Sequence, residues 1–121
     1  MLHGIFENGF PCIDVIVVGK TEKTVRAVID TGFNGYFTLP ESVAISLGLE
    51  FIGVGSARLA NGMRSPYKSY NARLLLGDKR INVVVDTQQN SPALIGNKLL
   101  HDMNMLLSLH IKNETVELEE K

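Results

Sequence analysis

Short apolar runs alternate with polar, glycine-containing turns along most of the chain. Residues 12–18 and 23–29 are two such runs, and a polar turn over residues 19–22 separates them. Within each run alternate side chains would share one face, which is the spacing of a half-buried strand. The two runs therefore predict a β-hairpin that delivers Asp30 at the end of a strand.

A second and longer hairpin is predicted between residues 50 and 76. Its centre is Asn61-Gly62, a dipeptide typical of tight hairpin turns because both residues tolerate positive φ. The arms would span residues 51–59 and 64–76, and the tip is polar. Such a hairpin is either a lid or a plain structural element, and the pattern leaves both open.

The remaining apolar runs predict further short strands. They span residues 36–39, 74–76, 81–85, 93–95, 106–111 and 115–118, with a polar loop over residues 88–92.

Two short helices are expected between these strands. The first would begin near Thr38, whose hydroxyl could cap it while Glu41 reaches back, and would end at Gly48. The second would span residues 97–103, with Asn97 as its cap. The pattern predicts a single domain over residues 1–121 that is mainly β, with one or two short helices.

Composition narrows the function classes. The 121 residues suit one domain, and a hydrophobic share of 45% supports a sizeable core. The net charge is −1 and the basic residues are scattered, which argues against nucleic-acid partners. No apolar stretch approaches the ~20 residues of a membrane span, and the N-terminus lacks the features of a signal peptide. We therefore expect a soluble, cytoplasmic protein without membrane partners.

Cysteine and histidine give no sign of a metal site. Cys12 is the single cysteine, so no intrachain disulfide can form, and a reducing compartment fits best. His3, His101 and His110 show no ligand spacing with one another or with Cys12. No metal and no cofactor is predicted.

The candidate chemistry lies in the tripeptide Asp30-Thr31-Gly32, which follows an apolar strand. Together with residues 27–29 it resembles the active-site motif of the retropepsin-like aspartic proteases, the single-domain relatives of pepsin. Residues 93–96, which precede the second helix, resemble the apolar pair and glycine that this family has near its C-terminus. The Asn61-Gly62 hairpin stands where the family has its flap. The three matches occur in the family's order, and the resemblance implies an all-β, closed, barrel-like acid-protease fold.

The resemblance also implies a homodimeric aspartic endopeptidase. This chemistry needs two carboxylates about 3 Å apart that share one proton and activate a water. The chain has one Asp-Thr-Gly, so Asp30 would meet its symmetry mate at a two-fold axis. The expected partners are a second copy and a peptide or unstructured protein bound in an extended conformation.

The resemblance assigns site residues in three groups. The catalytic group is Asp30, Thr31 and Gly32; the substrate-binding group is Phe33, Asn34, Gly35, Ala60, Asn61, Gly62 and Met63; the group that supports the site from below is Leu94, Ile95 and Gly96.

Two features depart from the family's pattern. Phe33 stands where many members have Ala or Ser, and it cannot donate a hydrogen bond to the carboxylate, which leaves the pH optimum and the adjoining pocket size open. The C-terminus is longer, so strands over residues 106–111 and 115–118 could pair differently in a dimer. Two alternatives stay open: a non-catalytic or weakly active dimerisation and peptide-binding module of the same fold, and an unrelated small β-barrel that binds a ligand.

Overall fold

The computed structural model describes residues 1–89 and 91–121. Within these residues it has ten strands and two short helices. The strands are β1 (Leu2–Glu7), β2 (Phe10–Val18), β3 (Glu22–Ile29), β4 (Phe37–Pro40), β5 (Glu50–Arg58), β6 (Arg64–Leu76), β7 (Lys79–Gln88), β8 (Ala93–Ile95), β9 (Met105–His110) and β10 (Thr115–Glu120). The helices are α1 (Glu41–Ser46) and α2 (Asn97–Asp102).

The strands form one sheet in the order β5-β6-β7-β4-β8-β3-β2-β1-β10-β9. Because β6 also pairs with β2, the six strands from β6 to β2 close into a ring. The short β8 is one of these six strands and lies between β3 and β4, parallel to β3 and antiparallel to β4. Strands β5 and β9 are the two edges of the sheet.

The inward face of the ring is apolar. Val15, Phe37, Leu74, Val85 and Ile95 are all fully buried there. Burial of one such side chain contributes about 1.5–3 kcal/mol. The ring is therefore a packed core, which gives the loops at its edges a rigid support.

The predicted hairpins are confirmed, with boundaries shifted by one or two residues at most of their ends. The predicted loop over residues 88–92 includes residue 90, which lies outside the described residues. The turn at Asn61-Gly62 exists, but only Gly62 has positive φ (83°). The Gly62 N–H donates to the Leu59 carbonyl at 2.9 Å, and the Leu59 N–H donates to the Met63 carbonyl at 2.7 Å. The predicted turn is therefore confirmed as a three-residue turn over residues 60–62, closed by a left-handed glycine.

Both predicted helix caps are wrong. Pro40 and Gly96 occupy the N-cap positions, and neither helix start has a side-chain cap. The Thr38 hydroxyl is buried and accepts a hydrogen bond from the Leu94 N–H at 3.1 Å instead. Asn97 is the first residue of α2, and its side chain donates to the Thr31 carbonyl. In both cases a tertiary partner outcompetes the local cap.

Strand β1 was not predicted. It pairs with β2 through a turn at Asn8 and Gly9, whose φ values are 52° and 83°. This is the two-residue turn that Asn-Gly favours. None of the helices formed by the described part of the chain has the length and apolar character needed to span a membrane.

Candidate active site

Asp30 follows directly after β3, and the ladder between β3 and β8 fixes its backbone. Its N–H donates to the Ile95 carbonyl at 2.9 Å, next to the parallel pair of Ile29 and Ile95. The chain turns at once, because the Phe33 N–H donates back to the Asp30 carbonyl at 3.1 Å. The Gly32 N–H donates to Asp30 Oδ1 at 2.9 Å, and Asp30 is partly exposed. The backbone thus orients one carboxylate oxygen, and the other can contact a water or a substrate.

We call residues 30–35 the aspartate loop, and the start of α2 holds this loop from its other side. The Asn97 N–H donates to the Phe33 carbonyl at 2.8 Å, and the Lys98 N–H donates to the Gly35 carbonyl at 3.2 Å. The Asn97 side chain adds its bond to the Thr31 carbonyl. The N–H groups of a first helical turn have no partner inside the helix. The two backbone bonds therefore give the free N–H groups at the start of α2 their acceptors, and they fix the aspartate loop at the same time.

Gly96 lies where the aspartate loop and α2 come closest. Its N–H donates to the Tyr36 carbonyl at 3.0 Å. A Cβ at Gly96 would lie 2.1 Å from the Gly35 carbonyl oxygen and 2.7 Å from the Phe33 ring, and a Cβ at Gly35 would lie 2.4 Å from that ring. The Phe33 ring thus packs on two glycines, and the close backbone approach at Gly96 requires a residue without a side chain.

A cleft of about 810 Å³ lies between the aspartate loop and the β5–β6 hairpin. This volume is in the range of natural ligand sites. Within the aspartate loop, Phe33 alone lines it. The hairpin contributes Val54, Ala57, Leu59, Ser65, Pro66, Tyr67 and Lys68, and the remaining wall consists of Thr38, Glu41, Asp86, Thr87, Gln88 and Gln89.

The predicted catalytic and supporting residues lie together. Asp30 bonds the Ile95 carbonyl through its N–H, and Thr31 is bonded by Asn97, the residue that follows Gly96. Gly32 joins them through its N–H, which donates to the Asp30 carboxylate. Ile95 is fully buried below the loop, whereas Leu94 is half-buried. Their roles in the chemistry stay predictions.

The predicted substrate-binding residues are only partly brought together. Phe33 lines the cleft, whereas Asn34 and Gly35 lie in the same loop outside its lining. Four others form the exposed tip of the hairpin and do not line the cleft: Ala60, Asn61, Gly62 and Met63. The arms of the hairpin, and not its tip, face the cleft.

Sequence reasoning missed the polar floor of the cleft. Asp86, near the end of β7, is half-buried and accepts a hydrogen bond from the Ser69 hydroxyl at 2.8 Å. Lys68 and Glu41 form an ion pair with a distance of 3.1 Å. A possible signal was the run Asp86-Thr87-Gln88, where polar residues follow directly on an apolar strand. Nothing local shows that this strand end lies beside β4 and the hairpin.

A second polar cluster joins Tyr36, the residue after the aspartate loop, to α2. The Tyr36 hydroxyl donates to Asp102 Oδ2 at 2.8 Å, and His101 Nδ1 lies 3.2 Å from Asp102 Oδ1. The Tyr36 hydroxyl, and then His101, lower the pKa of the Asp102 carboxyl below its ordinary value. The same carboxylate raises the pKa of Tyr36. The cluster stabilises α2 against the strand that follows the aspartate loop. Across the described ranges, no group of three or more His, Cys, Asp or Glu side chains is placed to hold a metal ion.

Comparison with solved structures defines the fold class as retropepsin-like. The EIAV protease in complex with the inhibitor HBY-793 superposes with a TM-score of 0.67 at 16% identity, covering 87% of this chain and all of that one. A retropepsin-like aspartic protease from Rickettsia conorii gives 0.61 at 18% identity, covering 98% of this chain and 88% of that one. The retroviral protease-like domain of Ddi1 from Leishmania major gives 0.55 at 18% identity, covering 89% and 94%.

Sequence comparison then gives the family. The sequence model described as aspartyl protease matches residues 13–103, which is most of the chain and contains the whole aspartate loop. The chain belongs to this aspartyl protease family. It has no match among curated protein sequences. The all-β fold expected from the sequence, and the resemblance to retropepsin-like proteases, are thereby confirmed.

Proposed function

We propose that the protein is a homodimeric aspartic endopeptidase that cleaves an extended peptide or an unstructured protein. The observation that carries this proposal is the geometry of Asp30. Its partly exposed carboxylate accepts a hydrogen bond from Gly32, in a loop that is anchored by β8 and α2 and whose Phe33 lines a cleft of about 810 Å³. A rigid loop suits a catalytic carboxylate because its orientation is fixed before substrate binds.

The proposed chemistry needs a second Asp30. Two carboxylates that share one proton divide the work: the ionised one takes a proton from the attacking water, and the protonated one donates to the substrate carbonyl and later helps to protonate the leaving amine. One chain carries one Asp-Thr-Gly, so a two-fold dimer is the arrangement that completes the site. Family membership supports this reading.

Strand β9 offers a surface for dimer formation. It is an edge of the sheet, so one side of its backbone lacks a strand partner among residues 1–89 and 91–121. Leu106 and Leu109 on this strand are 40% and 43% exposed, and Ile111 just beyond it is 66% exposed. An exposed apolar edge favours pairing with another strand. We propose that β9 of a second copy covers it.

The test compares wild-type protein with Asp30→Asn on a library of unstructured fluorogenic peptides. Asn keeps the size and one acceptor oxygen of Asp30 but cannot act as the base, so turnover should fall by at least about a thousandfold with little change in thermal stability. Asp78→Asn, an exposed turn residue, is the matched control and should retain full activity. Specific activity should also fall on dilution through the dimer dissociation constant. Equal turnover of Asp30→Asn and wild type, or turnover by a stable monomer, would contradict the proposal.

The second candidate is a peptide-binding module of the same fold with little or no turnover. Phe33 favours it, because its ring provides no donor for the Asp30 carboxylate and occupies part of the cleft lining. A dimer that binds peptides in the cleft but cleaves none from acid to neutral pH would support this alternative.

A further inference from the structure

The cleft beneath the hairpin contains one carboxylate without a cationic partner. Asp86 lines the cleft, is half-buried, and is bound by the neutral Ser69 hydroxyl at 2.8 Å. No ion pair formed within residues 1–89 and 91–121 includes Asp86. A half-buried carboxylate attracts a cation more strongly than one in open solvent, since fewer waters screen it.

The other charges of the cleft cancel. Lys68 and Glu41 both line it and form an ion pair at 3.1 Å. The hydrogen bond between the two side chains, and then the negative charge of Glu41, raise the pKa of Lys68 and keep Lys68 cationic. Thr87 donates its hydroxyl to the Lys68 carbonyl at 2.9 Å, which fixes the backbone beside the pair. With this pair neutral, the cleft keeps one uncompensated negative charge, that of Asp86.

Part of the lining of the cleft is apolar. The hairpin contributes Val54, Leu59 and Pro66 to it, and the aspartate loop contributes Phe33. An apolar wall that leads to a carboxylate suits a side chain with a long aliphatic stem and a cationic head, because the stem packs while the head reaches the charge. Lysine and arginine have this form.

We infer that the cleft is a subsite that selects a lysine or arginine side chain of the bound peptide, with Asp86 as the residue that determines the selection. The inference rests on the proposed function for its substrate, a peptide bound in an extended conformation. It adds the chemical class of one side chain of that peptide.

The test uses pairs of peptides that are identical except at one position, which is lysine in one peptide and the uncharged norleucine in the other. A separate pair is made for each position along the peptide. Binding is measured by fluorescence anisotropy on Asp30→Asn protein, which cannot turn the peptide over under the proposal, and kcat/KM is measured on the protein with Asp30 intact. At one position lysine should be preferred by about tenfold, the size of a hydrogen bond to a charged group. In Asp86→Asn, which keeps the shape and the Ser69 contact, the ratio should fall to near one. Asp78→Asn is the control and should keep the tenfold ratio.

The outcomes separate the two proposals. A lysine ratio that survives Asp86→Asn, or the absence of any preference in wild-type protein, overturns the subsite even when peptides are cleaved. An equal loss of affinity for both peptides in Asp86→Asn also overturns it, because that result indicates a structural role for Asp86. A lysine preference in binding that depends on Asp86, without turnover of any peptide, supports the subsite and overturns the proposed protease function.

Discussion

The most demanding prediction concerns Gly96. In Gly96→Ala the new Cβ would lie 2.1 Å from the Gly35 carbonyl oxygen, a separation that real Cβ atoms do not show. The carbonyl would have to move by roughly 1 Å, which adds the strain of an overpacked core. This carbonyl accepts the Lys98 N–H at 3.2 Å, so its movement also weakens the bond that holds the aspartate loop to α2.

The expected cost is the sum of the two effects. Overpacking costs about 1–3 kcal/mol and a weakened backbone hydrogen bond about 1 kcal/mol, so the free energy of unfolding should fall by about 2–4 kcal/mol. For a domain of this size that corresponds to a loss of about 8–15 °C in Tm. Since Asp30 belongs to the displaced loop, turnover should fall as well under the proposed function.

Urea unfolding of four variants (Gly96→Ala, Gly9→Ala, Phe33→Ala and Gly96→Ala with Phe33→Ala) measures this cost and assigns its cause. Gly9→Ala is the control: no atom lies within 4 Å of its Cβ, so only its positive φ of 83° opposes the change, at about 1–2 kcal/mol. Gly96→Ala is then repeated in a Phe33→Ala background, which removes the ring contact at 2.7 Å but not the backbone contact. The cost should persist there. A Gly96→Ala protein as stable as wild type, or full relief by Phe33→Ala, would refute the argument that the backbone approach demands glycine.

Three further predictions follow from single contacts. Asn97→Ala removes the side-chain hydrogen bond to the Thr31 carbonyl, so the free energy of unfolding should fall by about 1 kcal/mol. Under the proposed function, kcat should fall by a larger factor than KM rises. An unchanged urea midpoint would contradict the role of this bond. Tyr36→Phe removes the hydroxyl that lowers the Asp102 pKa, so that pKa should rise towards its ordinary value in an NMR titration. A carboxyl group whose pKa is lowered by folding stabilises the folded state at pH values above its pKa in the unfolded chain, and this stabilisation is lost as the pH falls through its pKa in the folded protein. The difference in stability between wild type and Tyr36→Phe should therefore disappear in acid. A difference that is independent of pH would contradict this prediction. Leu109→Lys places a charge on the exposed edge strand and should weaken the proposed dimer at least about tenfold in sedimentation equilibrium; an unchanged dissociation constant would contradict pairing through β9.

The sequence predicts this fold where local signals agree with the tertiary structure. The alternation in residues 23–29 predicts a strand, and the ring places Ala27 and Ile29 in the core on the same face. Asp30 at the end of that strand, and the apolar segment before Gly96, were both predicted from short local patterns. Strand β1 could have been predicted too, because Asn8-Gly9 is the same signal that identified the longer hairpin.

The caps and the cleft could not be predicted in this way, since their partners are distant in the sequence. Thr38 has a good capping sequence around it, yet its hydroxyl bonds to Leu94, which lies more than fifty residues away. Asp86 becomes a cleft residue only because β7 pairs in parallel with β4 and antiparallel with β6. A pattern that extends over five to ten residues carries no information about such neighbours.

This division between local and distant contacts has a consequence for function. The aspartate loop is built by a motif and by backbone bonds from β8 and α2, and these groups set the orientation of Asp30. The cleft shares Phe33 with the aspartate loop, and the rest of its lining consists of strand ends and hairpin arms, which make no hydrogen bond to Asp30 within residues 1–89 and 91–121. Variants of the loop, such as Asn97→Ala, should therefore change the rate for every peptide, whereas Asp86→Asn should change which peptide is preferred. If both kinds of variant altered rate and preference alike, the loop and the cleft would act as one unit, and the proposed lysine subsite could not be separated from the proposed role of Asp30.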